Sequence, residues 1–421
     1  VQFNIHPINL LRALSMALEL TNGGLSRHHW RTALISSRIA EFIGLDDVQQ
    51  QSLVYAALLH DIGAASSWEE KKALHNFHVE QMDIYSHAEA GYELLKDSPQ
   101  LGMLAIPIRH HHDYWDGRSP SGLAGKDIPL ASRIINLADR LEVLLKDQVF
   151  IFEQRPDILS AIRKLSGSYF DPELVKVLHE FARQESFWLD LVNPHYYHNF
   201  FRNIDVYGLM RFTIDDVINI AEIFATIIDR TSSFTATHSR SVSIMAAFLA
   251  EAKGYSSEEV KAMRIAGLLH DLGKLAIPNE ILEKPGKLTE WEFATIKQHT
   301  YYTYRILEQI DGFELIAEWA AYHHETLDGA GYPFRIGESS LRLGSRIVAV
   351  ADVFVALTEN RPYRIPMSPD KVEKVMRGMV ANRKLDGSIV ADLFSHYSNA
   401  FDLMQVTQLN KPAAQKNKQY G

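Results

Sequence analysis

The chain has 421 residues, of which 46% are hydrophobic and 23% charged, with a formal net charge of −9. That is a globular composition with enough chain for two cores, and the acidic balance excludes a general nucleic-acid surface while leaving room for a local basic pocket. The lack of cysteine excludes disulfides and thiolate ligands, and no apolar run approaches the ~20 residues that span a bilayer, so a cytoplasmic protein with no membrane role is expected. The chain opens on Val1 and not on methionine, as expected where a sensor or receiver segment precedes it. From there on, helical signals dominate. Segments such as Ser52–Leu59 and Val260–Leu269 carry apolar residues at three- and four-residue steps, β-branched alternation is scarce, and an all-α fold is predicted. Gly44 and Gly254 are expected to end helices. The first domain is expected over 1–195 and a joint over 196–214, where aromatic residues and Gly208 interrupt the pattern just after Pro194. A second domain is expected over 215–404, then a polar, disordered tail over 405–421.

One pattern is written twice. In the first half His28 precedes His60-Asp61, followed by His87, His111-His112 and Asp139; in the second half His238 precedes His270-Asp271, followed by His299, His323-His324 and Asp352. The intervals are 32, 27, 24 and 28 residues in the first copy and 32, 29, 24 and 29 in the second. Flanking residues agree as well, LLHDIG against LLHDLG and SRIINLAD against SRIVAVAD. The domain is duplicated. His29 competes with His28 for the first position, and counting back 16 residues from Gly44, as from Gly254 to His238, selects His28.

Imidazole and carboxylate together suit iron, manganese, zinc or nickel. Seven such groups per copy exceed what one tetrahedral ion needs, so two metals are the natural count, with Asp271 as the group able to bridge them. Such a pair can lower the pKa of a bridging water and supply a hydroxide nucleophile for phosphorus. Lys274 follows His270 by four residues and so shares its helical face, where its ammonium can stabilise phosphoryl oxygens or protonate the leaving oxygen. Isolated histidines such as His179 and His396 carry no such signal.

The residues quoted resemble the HD superfamily of phosphohydrolases. The second copy is similar to its HD-GYP branch through His270-Asp271-Leu272-Gly273-Lys274, His323-His324-Glu325, Asp328-Gly329-Ala330-Gly331-Tyr332-Pro333 and Arg361-Pro362-Tyr363-Arg364. The resemblance covers about residues 215–400, and a looser one covers about residues 10–185. It implies hydrolysis of a cyclic dinucleotide, cyclic di-GMP or cyclic GMP-AMP, by two divalent ions, iron or manganese. It also implies His238, His270, Asp271, His299, His323, His324 and Asp352 as metal ligands, with Asp271 and Lys274 as the catalytic pair. Arg361 and Arg364 match positions that hold substrate phosphates, a role that the planar guanidinium suits, and Tyr332 either contacts substrate or packs. A homodimer is compatible with the apolar helices near the joint.

Departures from the family pattern are also present. Phe234 stands where three-metal members carry glutamate, which favours a two-metal site; Thr300, Thr303 and Val355 replace a usual proline, glycine and aspartate. These changes motivate a second reading, a module that binds a cyclic dinucleotide without turning it over, and hydrolysis of another nucleotide is a third. The first copy keeps His28, His60, Asp61, His87, His111, His112 and Asp139 as candidate ligands but has Ala64 in place of the lysine and no Gly-Tyr-Pro run. It fits a second phosphohydrolase site, a metal-stabilised regulatory domain or a dimerisation scaffold.

Overall fold

The computed structural model describes residues 5–21, 24–25, 27–65, 84–204, 211–231, 237–359 and 366–409. Two compact units emerge, Asn4–Phe212 and one made chiefly of Thr213–Gly421. Both are helical, and the strands among the described residues amount to a two-residue antiparallel ladder, Leu20–Thr21 with Gly24–Leu25.

In the first unit the helices that matter for the site are α1 (Pro7–Leu18), α2 (His28–Ile43), α3 (Asp47–Leu59), α4 (Ile84–Leu95), α5 (Ala105–Arg109) and α6 (Leu130–Val143). Their counterparts in the second unit are α7 (Ile214–Arg230), α8 (His238–Ala252), α9 (Ser257–Leu269), α10 (Glu290–Leu307), α11 (Glu314–Ala321) and α12 (Leu343–Thr358). The packing repeats with the sequence: α2 lies on α3 and α6, and α8 lies on α9 and α12.

Local sequence explains where these helices start and stop. Asp46 and Gln49 form a capping box at the start of α3, and Ser256 and Glu259 form the same box at α9. In each, the cap side chain accepts from the N3 amide while the N3 side chain returns to the cap amide, satisfying two otherwise orphaned donors. The helices α2 and α8 run out at Gly44 and Gly254, whose φ values of 75° and 78° are those of a left-handed terminus. Between these ends α3 and α9 are buried on nearly every side, with Leu58, Leu59, Leu268 and Leu269 all inaccessible. Each such leucine contributes about 1.5–3 kcal/mol of burial. The doublets His60-Asp61 and His270-Asp271 therefore sit at the exit of a helix whose last turn is fully buried in each unit.

The first part of the stretch expected as a joint is helical. Residues Pro194–Ile204 form a helix of the first unit, and Tyr197 and Phe201 are buried because they meet the ring of Trp30 on α2 at 6.0 and 5.4 Å. At the other end a helix runs over Tyr397–Leu409, past the expected limit at 404; the rest of the expected tail lies outside the described residues. Among the described residues no helix is long and apolar enough to cross a membrane.

Candidate metal centres

In the second unit every matched group arrives at one place. His238 opens α8, His270 caps α9, His299 lies on α10, His323 and His324 follow α11, and Asp352 lies on α12. Asp271 stands at the centre. Its Oδ2 is 3.1 Å from His270 Nε2, 3.8 Å from His238 Nε2 and 2.5 Å from Lys274 Nζ, while its Oδ1 is 3.4 Å from His299 Nε2. The two oxygens thus face two different sets of imidazoles, as a bridging carboxylate must. Asp352 Oδ1 approaches His238 Nε2 at 3.2 Å.

The histidines are oriented from behind. The Nδ1 of His270, His299 and His323 lies 2.7–2.8 Å from the carbonyl oxygen three residues earlier, on Gly267, Ile296 and Ala320. That bond places the proton on Nδ1 and turns the Nε2 lone pair inward, the tautomer a metal requires. Two facts then show a fit to cations. His270 Nε2 is buried without any hydrogen-bond partner, and the Nε2 atoms of His299 and His323 face each other at 3.4 Å. Opposed lone pairs at that distance repel unless a cation sits against them. Burial pushes the pKa of His299 down to about 3 and those of His323 and His324 below their ordinary value, so all three rings are neutral donors at pH 7. Burial also opposes the charge on Asp271, yet His270 and Lys274 outweigh it and hold its carboxyl well below the usual range.

The turn after Asp271 explains a glycine that spacing alone left unassigned. A Cβ on Gly273 would lie 1.9 Å from the carbonyl oxygen of His299, and one on Gly63 would lie 2.0 Å from that of His87. Only glycine lets the 3-10 turn carrying the aspartate press against the helix carrying the third histidine. In the second unit Thr303 reinforces this junction, accepting from Gly273 N at 2.9 Å and donating to the His270 carbonyl at 3.2 Å. Thr300 bonds its own helix at the Lys297 carbonyl, and Val355 is buried. These departures from the family pattern support the scaffold and leave the inward-facing donors intact.

The Gly-Tyr-Pro run performs a similar service for His324. A Cβ on Gly331 would meet the His324 carbonyl oxygen and the Glu325 Cα, both at 2.5 Å, and Tyr332 N donates to the same carbonyl at 3.2 Å. Glu325 accepts from the amides of Phe334, Arg335 and Ile336 at 2.7–3.0 Å, tying the far side of the turn to the doublet. The Tyr332 ring lies against His324, with centroids 4.9 Å apart. Arg361, Arg364 and Phe234 lie outside the described residues.

The first unit repeats the design around Asp61. Its Oδ2 lies 3.3 Å from His60 and 3.6 Å from His28, and its Oδ1 lies 3.3 Å from His87 and 3.7 Å from His111, measured to Nε2 in each case. His112 Nε2 is 3.1 Å from His87 Nε2, and Asp139 Oδ1 is 3.4 Å from His28 Nε2. Two expectations need correction. His28 does occupy the place of His238, but His29 is also buried in the cluster instead of being excluded from it. Nor does this copy lack a cation: Arg140, buried beside the cluster, donates to Asp139 Oδ2 at 2.7 and 2.9 Å.

Two carboxylates escaped the sequence reading. His28 Nδ1 lies 2.5 Å from Glu142 Oε2, and His238 Nδ1 lies 3.3 Å from Glu359 Oε2. Glu142 is three residues beyond Asp139, about one turn along α6, and Glu359 is seven beyond Asp352, at the extended residue that ends α12. The differing offsets hid them from a comparison of the two copies. Glu359→Gln is expected to weaken metal binding in the second unit by about 10- to 100-fold, the usual effect of losing a carboxylate behind a ligating imidazole. Competition with a chromophoric chelator measures it.

Comparison with known proteins agrees with this duplicated geometry. Residues 25–144 match an HD domain model and residues 222–389 match a second HD domain model. Over 403 residues the chain is 31% identical to 3'3'-cGAMP-specific phosphodiesterase 1 of Vibrio cholerae, covering 92% of this chain and 91% of that protein. The chain belongs to the HD-GYP family of cyclic dinucleotide phosphodiesterases. Among solved structures, a cyclic GMP-AMP specific phosphodiesterase of Vibrio cholerae superposes with a TM-score of 0.66 at 27% identity, over 96% of this chain and 99% of the other. A cyclic di-GMP phosphodiesterase of Thermotoga maritima is 39% identical over 154 residues, 36% of this chain and 42% of its own. This tandem form of the HD-GYP family thus pairs one HD unit that carries the lysine and the Gly-Tyr-Pro turn with one that does not.

Proposed function

We propose that the second unit hydrolyses a cyclic dinucleotide, with 3'3'-cyclic GMP-AMP as the first substrate to test. The observation that carries this reading is the contact of Lys274 with a buried Asp271 whose two oxygens face His238, His270 and His299. His238, His270, His299, His323, His324 and Asp352 would hold two divalent ions, iron or manganese, with Asp271 between them. When bound, such ions supply Lewis-acid polarisation of a phosphoryl oxygen and an ionisable water. The chain's own groups do the rest. Burial opposes the charge on Lys274, but Asp271 outweighs it and keeps the ammonium protonated, ready to neutralise a non-bridging phosphoryl oxygen. Burial, with the charges of Asp352 and Asp271, pushes the Tyr332 hydroxyl up, so it stays a neutral donor at the rim. Arg361 and Arg364 are proposed to receive the second phosphate of the ring.

The cluster around Asp61, with His28, His60, His87, His111, His112 and Asp139, is read as a further metal site lacking the lysine. A binding-only module finds no support in Thr300, Thr303 or Val355, since each serves the scaffold. Metal-loaded protein incubated with 3'3'-cyclic GMP-AMP and, separately, cyclic di-GMP tests the proposal by chromatography of the products. Linear dinucleotide or mononucleotide from either is expected. Failure to convert both, with iron and with manganese, would overturn it.

Metal loading is expected to release protons. Burial works against the charged form of His238, but Asp352 and Glu359 prevail and push its pKa up to about 10. A metal approaching at pH 7–8 must therefore displace a proton, and apparent affinity should climb as pH rises towards about 10. In the metal-free protein the sign is reversed. A raised histidine pKa stabilises the fold fully below its ordinary value of 6.5, and that stability is lost as pH rises through about 10. Calorimetry in two buffers of different ionisation enthalpy counts the protons.

A further inference from the structure

The two units differ at one buried position beside their first histidine. In the second unit that position is Ser239, whose Oγ turns back to donate to Asp229 Oδ1 at 2.7 Å while its amide faces both oxygens at 3.2 and 3.3 Å. In the first unit it is His29, and the carboxylate ten residues earlier, Glu19, accepts the amide of His29 and lies 3.4 Å from the ring's Nδ1 without hydrogen bonding it. The imidazole lies between Glu19 and Asp61. It is 2% exposed, its Nδ1 has no hydrogen-bond partner, and its Nε2 lies 3.7 Å from Asp61 Oδ2. Its ring meets that of His60 at 5.0 Å. Donor atoms of His28, His29, His60 and Asp61 all lie within 4.8 Å of one another, as do those of Asp61, His87, His111 and His112.

We infer that His29 is an additional metal ligand in the first unit, with no counterpart in the second, and that it gives the first centre a different metal preference. The inference rests on the reading of the Asp61 cluster as a metal site. Arg140 holds one oxygen of Asp139, so that carboxylate has less to offer an ion than Asp352 has, and His29 supplies a nitrogen on the same side of Asp61. Exchanging carboxylate character for imidazole shifts a site away from manganese and towards iron, nickel, zinc or cobalt. The first centre should therefore select imidazole-seeking ions even where the second accepts manganese.

The test uses the full chain carrying Asp271→Ala, which removes the bridging group of the second centre and leaves the first to be read. Metal content after gel filtration and the visible spectrum of the cobalt-loaded protein are compared with and without His29→Ser, the residue of the second unit. Retention of cobalt or zinc over manganese is expected, with loss of about one ion and altered cobalt bands on adding His29→Ser. Circular dichroism establishes that the variant folds. Should it not fold, anomalous diffraction from cobalt-loaded Asp271→Ala crystals decides by whether a peak lies at bonding distance from His29 Nε2. Unchanged content and spectrum, or a peak remote from His29, would overturn the role of His29 and spare the first metal site. Binding of no metal by the first unit would overturn both.

Discussion

Asp271→Ala should lower turnover of the cyclic dinucleotide by at least roughly 10³-fold, the scale on which enzymes lose a principal electrostatic element. Four groups depend on this carboxylate at once. Its Oδ2 faces His270 and His238 and holds Lys274 at 2.5 Å, and its Oδ1 faces His299. Alanine leaves the two sets of imidazoles with nothing between them, so metal content should fall along with kcat. Loss of activity with full metal content would argue instead that Asp271 acts on the substrate and not as the bridge. Asp61→Ala, the matching change in the first unit, is the control. It should empty the first centre and leave the metal content of the second unchanged. Elemental analysis beside initial rates on both variants separates these outcomes.

The fold and the inner ring of each centre were legible because both depend on residue identity at fixed spacing. The repeat of His-Asp doublets could be read without any knowledge of packing, and the apolar periodicity around Leu58 and Leu268 announced the helices that carry them. What lay hidden depends on geometry that spacing does not encode. Glu142 reaches its histidine from within α6 and Glu359 from just past the end of α12, so alignment of the copies could not pair them. Arg140 reaches the first cluster from the position next to Asp139, where the second copy has Val353. His29 was set aside by a count from Gly44 that correctly found the counterpart of His238. At the N-terminus of α2 two successive side chains both turn inward, and Glu19 accepts the His29 amide while the ring reaches past it towards Asp61. The chain divides between Phe212 and Thr213, inside the stretch read as a joint, and the aromatic residues near its start, Tyr197 and Phe201, are core of the first unit.

Lys274→Met should cut kcat by about 10²–10³-fold, the range for removing one charge-stabilising donor at a reacting centre. The side chain is more exposed than the group it serves, at 23% against 4% for Asp271, so methionine can occupy its volume without disturbing the core. The ammonium is held by Asp271 and remains charged through the neutral range, so its contribution should not titrate near pH 7. Its removal should therefore scale the whole pH–rate profile downward without moving the limbs. Metal affinity gives the discriminating measurement. A lysine that neutralises the phosphoryl oxygens matters only when substrate is present, and its loss should leave metal content intact or improve it, because a competing cation has left Asp271. A lysine that only props up the carboxylate predicts the opposite, a parallel fall in metal content and rate. Introducing the missing lysine in the first unit, as Ala64→Lys, sets a stricter test of the same idea: Ala64 is buried at 1% exposure, and no gain of phosphodiesterase activity is expected there without the Gly-Tyr-Pro turn that positions His324 in the second unit.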